Sequence, residues 1–181
     1  MKKIILAITV LLVFNCCNKK DDDAPTNPID QLPPATQNGA NTAGCLVDGE
    51  AFLPNRNSTI PLRLFYLDGE TFSLVISNEI NNTSHKVLIF LENVQIEVDK
   101  VYQLNTEFDD NENNQSGEYT IASTSPPSPN YYSTNSNIIG EIVFTSHDFD
   151  RAILSGNFWF DAINSEGSIV EVREGRFDME Y

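Results

Sequence analysis

Beyond residue 44 the chain keeps returning to a period of two, the repeat that sends successive side chains to opposite faces of a strand. Phe72, Leu74 and Ile76 share one face, while Thr71, Ser73 and Ser77 take the other. Residues 87–91 are apolar on both parities, which suits a central strand covered on both sides. Ile96 and Val98 point together ahead of a strand over 101–104, and a short strand follows at 118–123. Polar stretches over 105–116 and 125–137 read as loops. The last third is the best patterned: 138–146, 152–163 and 168–181 form three successive antiparallel strands with hairpin-length connections. Leu154, Phe158, Phe160 and Ala162 alternate inward, and Gly156 and Gly175 either leave room for a large ring from the facing sheet or mark bulges. Asp48-Gly49 and Asp68-Gly69 supply tight turns between apolar runs. No window carries a sustained apolar repeat at helical spacing. The pattern predicts one all-β domain over 44–181, an antiparallel β-sandwich or flattened barrel of about nine or ten strands.

The first residues follow a different rule. Lys2 and Lys3 precede an apolar run over 4–14, broken only by Thr9. As a helix, that run covers about 16 Å, roughly half of a bilayer's hydrocarbon core. It suits the apolar region of a signal peptide rather than a membrane span. It leads into Val13-Phe14-Asn15-Cys16-Cys17-Asn18, which resembles the lipobox of bacterial lipoproteins. That resemblance implies a thiol alkylated with diacylglycerol, cleavage just before it, and acylation of the new amino group. Cys17 is the expected lipidation site, because Cys16 at the cleavage position is smaller than Asn15. Cys16 is the alternative, favoured by Val13 three places before it.

The expected signal peptide is therefore 1–16, followed over 17–43 by the lipidated cysteine and a disordered acidic and Pro-rich tether. Pro25, Pro28, Pro33 and Pro34 stand there among polar residues, with only Ile29 and Leu32 as large apolar groups. Such a stretch buries too little surface to offset chain entropy. Lys19-Lys20-Asp21-Asp22-Asp23 resembles the tether that routes some lipoproteins of gliding-type Gram-negative bacteria to the outer face of the outer membrane. The implied address is the outer membrane, lipid-anchored and at the cell surface, with the periplasmic face as the alternative.

Charge and cysteine count narrow the partners. The formal net charge is −15, and loss of Lys2 and Lys3 makes it more negative. A phosphate backbone is repelled by such a chain, so nucleic acid is set aside as a partner. Of three cysteines, Cys45 alone stands in the folded part. With Cys17 lipidated and Cys16 removed it has no disulfide partner, and a small buried filler is the expected role.

A family resemblance rests on Gly140-Glu-Ile-Val-Phe-Thr145, Asp148, Ser155-Gly-Asn-Phe-Trp-Phe-Asp-Ala162 and Gly175-Arg-Phe177, with an opening strand Cys45-Leu-Val-Asp-Gly-Glu-Ala-Phe52. Together these resemble a family of small bacterial lipoproteins whose shared β domain is of unknown function. The likeness covers about 45–181 and implies fold and location, and it transfers no catalytic residue.

Candidate chemistry is sparse. His85 and His147 are the only histidines, and no H-E-x-x-H, Cys-x-x-Cys, Gly-x-Ser-x-Gly or Gly-rich phosphate loop occurs. His147 beside Asp148 or Asp150 reads as a solvent-facing hairpin, and His85 as an exposed turn residue. No catalytic residue is expected. Asp109, Asn111 and Asn113 have the spacing that opens a calcium loop, but Asn114 stands where glycine is needed and Thr120 where glutamate is. Weak calcium binding is the most this segment offers, and no other metal or cofactor is expected.

Trp159, Tyr131 and Tyr132 are candidate ligand-binding residues, since aromatics flanked by amides and carboxylates stack on sugar rings. A cleft setting two or more carboxylates beside exposed aromatics would favour an enzyme or accessory subunit acting on polysaccharide. A fully buried Trp159 would count against it. The leading expectation is a non-catalytic, membrane-tethered β domain presenting a face to a protein or glycan partner. An enzyme or accessory subunit acting on polysaccharide comes second, and a calcium-stabilised structural envelope protein third.

Overall fold

A computed structural model describes residues 27–108, 114–124 and 127–181. Cys16, Cys17 and the whole expected signal lie outside the described residues, as do Asp109, Asn111 and Asn113.

Among the described residues the chain is all-β, with eleven antiparallel strands. They are β1 (Thr42–Val47), β2 (Glu50–Phe52), β3 (Leu62–Leu67), β4 (Thr71–Ile80), β5 (Thr83–Glu92), β6 (Val101–Leu104), β7 (Gln115–Thr124), β8 (Pro127–Ser133), β9 (Gly140–Asp148), β10 (Ile153–Ile163) and β11 (Ile169–Glu180). The hydrogen-bonded order is β2-β1-β11-β10-β8-β7-β5-β4-β3, with β9 also on β10 and β6 on β9. Midway, the ladder narrows to one pair, Ile163 with Ser133. Two wings result. One is β3-β4-β5-β7-β8, and the other carries β6, β9, β10, β11, β1 and β2.

The wings pack on each other through aromatics. Phe72 of β4 meets Phe144 of β9 at 4.9 Å and Phe177 of β11 at 5.9 Å, while Phe52 of β2 meets Tyr119 of β7 at 6.1 Å. Leu74, Ile76, Ile89, Leu91, Ile142 and Leu154 fill the remaining core, all without exposed surface. No ladder joins β2 to β3 among the described residues, so the sheet is sandwich-like and not closed into a barrel.

Local sequence explains the joints. Asp48 and Gly49 take φ of 49° and 84°, the positive pair a two-residue hairpin needs between β1 and β2. Gly156 of β10 pairs with Phe177 and Gly175 of β11 with Phe158. A Cβ on Gly175 would lie 2.4 Å from the Phe158 ring. The rings covering both glycines thus come from the neighbouring strand, not from the facing sheet. The second expectation holds, since the β9–β10 register slips between Ser155 and Gly156.

Two expectations are corrected. The stretch 125–137 is not all loop, because it contains β8. Proline is tolerated there since β8 is bonded along β7 but touches β10 only at Ser133, leaving most of one edge free of a ladder. The tether does not run to residue 43, because residues 32–41 are fastened to the sheet. The Asp178 carboxylate of β11, 1% exposed, accepts hydrogen bonds from the Thr36 hydroxyl and from the amides of Asn38, Gly39 and Ala40. Ser155 donates a fifth. Gln37 and Arg151 add backbone contacts across the same seam, and Leu32 is buried. Polar bonding to one carboxylate, rather than apolar area, orders this stretch. Among the described residues no helix is long and apolar enough to cross a membrane.

Candidate functional site

The narrow joint between β8 and β10 opens a cleft of about 660 Å³, within the range typical of small-ligand sites. Tyr131 stands on its rim with 57% of its surface exposed, and Phe108 faces it at 44%. Phe108 is held by an edge-on contact with Phe90 at 5.2 Å and by its amide, which donates to Ser133 Oγ at 3.3 Å. Glu118 of β7 and Glu107 contribute two carboxylates to the lining. Glu118 is 93% buried, yet among the described residues its carboxylate accepts only the Thr120 hydroxyl, at 3.3 Å. A carboxylate has about four acceptor positions, so most of this one's capacity is unspent. Asn164, at the far wall, is already committed to the amides of Glu166 and Ser168 and to Asn130. The cleft therefore offers two aromatic faces and an under-used acceptor, the complement of a ring bearing hydroxyl donors.

The three aromatic candidates do not form one site. Tyr132, adjacent to Tyr131 on β8, points the other way into the core and is 8% exposed. It is corrected from ligand-binding candidate to core residue, and strand alternation is the reason. Trp159 belongs to a separate open groove of about 610 Å³ on β9, β10 and β11. It is half-buried and sits where the β10–β11 register slips between Phe158 and Phe160, opposite Arg173 and Glu174. Its indole N–H donates to Glu141 Oε2 at 3.3 Å, and the Arg173 guanidinium lies over the ring at 5.4 Å. Arg173 in turn bonds Asp161 and the Phe160 carbonyl. The donor and one face of Trp159 are spent inside the protein, so Tyr131 is the freer aromatic.

Both histidines depart from expectation. His85 is within β5, half-buried, with Nδ1 2.7 Å from the Tyr119 hydroxyl, and burial pushes its pKa down. His147 ends β9 with its ring stacked on Phe149 at 3.7 Å and Nε2 3.0 Å from the Tyr181 hydroxyl. Burial lowers its pKa too, against the opposing pull of Asp68 and Asp148. The Asp148 carboxylate caps the following turn by accepting the Arg151 amide. Cys45 is fully buried, and burial drives its thiol pKa far up, away from nucleophile chemistry. Among the described residues no three His, Cys, Asp or Glu side chains gather into a metal-holding group.

Sequence reasoning missed Phe108, Glu118 and Glu107. The available signals were a lone phenylalanine in a polar loop and the polar parity Ser116, Glu118, Thr120 along what becomes β7.

Fold and cleft together define a small antiparallel β domain with an aromatic-rimmed depression at the joint between its wings. The chain belongs to the family of the domain of unknown function DUF6252, whose model matches residues 68–179, from the turn after β3 almost to the end of β11. No curated protein and no solved structure matches it.

Proposed function

We propose that this protein is a lipid-anchored envelope protein whose β domain is a non-catalytic binding module for a saccharide polymer. The order Lys2-Lys3, apolar run, Cys16-Cys17 and acidic leader supports export and lipidation at Cys17, with Cys16 as the alternative, and attachment at the outer membrane. The observation that carries the binding role is the cleft in which exposed Tyr131 and Phe108 flank the under-used carboxylate of Glu118. Stacking holds a sugar ring's apolar face, and the carboxylate accepts its hydroxyls.

Two measurements test the two halves. Mass spectrometry of the membrane-extracted protein is expected to find an N-terminal diacylglycerol-modified cysteine, and an unmodified Met1 would refute the anchor. A glycan array is expected to return neutral or acidic oligosaccharides whose binding disappears in Tyr131→Ala. Binding unchanged in that variant would remove the cleft from consideration. A hydrolase is the second reading, favoured by Glu107 and Glu118 lining one cleft. Release of reducing ends that stops in Glu118→Gln would establish it over simple binding.

A further inference from the structure

The outer face of the β3-β4-β5 hairpins holds a depression of about 360 Å³ whose lining differs in kind from the cleft. Arg63 of β3 and Lys86 of β5 enter it from either side of β4, over Val75 and Ser77. Their Cα atoms stand two strand spacings and one two-residue step apart, about 12 Å, a span that two long side chains close from both ends. Ser58, Thr59, Ser77 and Ser84 complete the lining.

Two observations mark this depression as made for an anion. First, the chain is strongly acidic, and three of its five other described cations are drawn to carboxylates: Lys100 pairs with Glu97, Arg151 with Asp148, and Arg173 with Asp161, whereas Arg56 and Arg176 have none within 4.0 Å among the described residues. Arg63 and Lys86 have no carboxylate within 4.0 Å among the described residues, although Glu79 lies on the same face one pair along. Second, Ser58 Oγ is sealed from solvent and has no hydrogen-bond partner among the described residues. A buried hydroxyl left unpaired is costly, and of the three such groups among the described residues (Ser58 Oγ, Ser116 Oγ and His147 Nδ1) only Ser58 belongs to a residue of this depression.

We infer that the Arg63–Lys86 pocket binds a tetrahedral oxyanion, a sulfate or phosphate ester group carried on a saccharide. Guanidinium and ammonium supply charge-assisted donors, and the hydroxyls fill the remaining oxygen positions. The saccharide part rests on the reading of the Tyr131 cleft, whereas the oxyanion part stands without it. The link between them is register. Lys86 pairs with Thr120 and Thr120 with Tyr131, which puts all three on one face with Lys86 and Tyr131 about 10 Å apart. A polymer lying across β8, β7 and β5 reaches both sites.

Titration of the ¹⁵N-labelled domain with inorganic sulfate and phosphate, followed by amide shifts, tests the oxyanion. Shifts are expected at Ser58, Thr59, Ser77 and Ser84. Arg63→Gln or Lys86→Gln alone should weaken binding about tenfold, and the double variant should abolish it. Arg176→Gln, which alters a cation outside the pocket, should leave it unchanged. Ser58→Ala is the sharper probe, because it should weaken the anion while leaving the anion-free domain as stable as before or more so. Absence of shifts at these amides, or shifts that survive the double variant, overturns the proposal. The source is settled by comparing a sulfated oligosaccharide with its desulfated form and with vesicles of anionic phospholipid. Preference for the sulfated sugar, lost in the double variant, supports the assignment, and preference for vesicles overturns its saccharide part. Tyr131→Ala should remove the desulfated sugar yet spare inorganic sulfate, so failure of the cleft and failure of the pocket give different results.

Discussion

At the scale of single residues, Asp178 carries the clearest linkage. Burial alone would raise its pKa, but hydrogen bonds from the Thr36 hydroxyl and the amides of Asn38, Ala40 and Gly39 outweigh burial and bring it down to about 2. The unfolded chain binds a proton near pH 3.9, so the folded state is favoured above that pH and loses the advantage as pH falls toward 2. A shift of this size corresponds to about 2 kcal/mol. Asp178→Asn is expected to lower urea-measured stability at pH 7 by about 2 kcal/mol, with the gap to the native sequence closing between pH 4 and pH 2. A gap constant across that window would mean that the carboxylate's charge is irrelevant. Gly175 gives a packing counterpart, since the Phe158 ring occupies the space a Cβ would need. Gly175→Ala should cost about 1–3 kcal/mol by overpacking. In a Phe158→Leu background that cost should fall below about 1 kcal/mol, a coupling read from a double-mutant cycle.

At the scale of elements, the sequence was legible where burial sets the pattern. The three last strands, the Asp48-Gly49 turn and the doubly covered β5 all follow from apolar residues that the core requires on known parities. Illegible elements are those held by polar bonds or lying at edges. β8 hid behind Pro127 and Pro129, residues that signal a loop unless the strand's other edge is largely free. The segment before β1 has almost no apolar content and is fastened by a carboxylate 138 to 142 residues away, a partner that no local pattern can announce. The site divides likewise: Tyr131 was visible as an aromatic among polar neighbours, whereas Glu118 gained meaning only once β7 was seen to begin at Gln115. Truncation tests the corrected boundary. A chain starting at residue 42 is expected to melt about 4–8 °C below one starting at residue 27, the equivalent of about 2 kcal/mol in a domain of this size. Equal melting temperatures would return residues 27–41 to the tether.

At the scale of the whole molecule, the two wings share one ladder pair, a few backbone bonds such as those from the Asn105 and Thr106 amides to the Gln115 carbonyl, and a common core. Cys45 lies inside that core on β1, between the glycine-bearing β11 and the hairpin partner Phe52, with no exposed surface. It is the only cysteine in a chain starting at residue 27, so its labelling reports one event. If core contact holds the wings together, exposing Cys45 means separating them, and separating them dismantles the core that stabilises each. Labelling by a neutral alkylating reagent should then depend on urea with the same slope as global unfolding, because the opening exposes all of the buried surface. A shallower slope would mean that one wing, or the β1–β2 hairpin alone, opens while the other stays folded. Burial also keeps the thiol protonated, so raising the pH to 9 in the native state should leave labelling limited by opening rather than by ionisation. The comparison therefore decides whether the domain's stability resides in its ladders, which narrow to a single pair at the centre, or in the aromatic contacts of Phe72, Phe144 and Phe177 that bridge the wings.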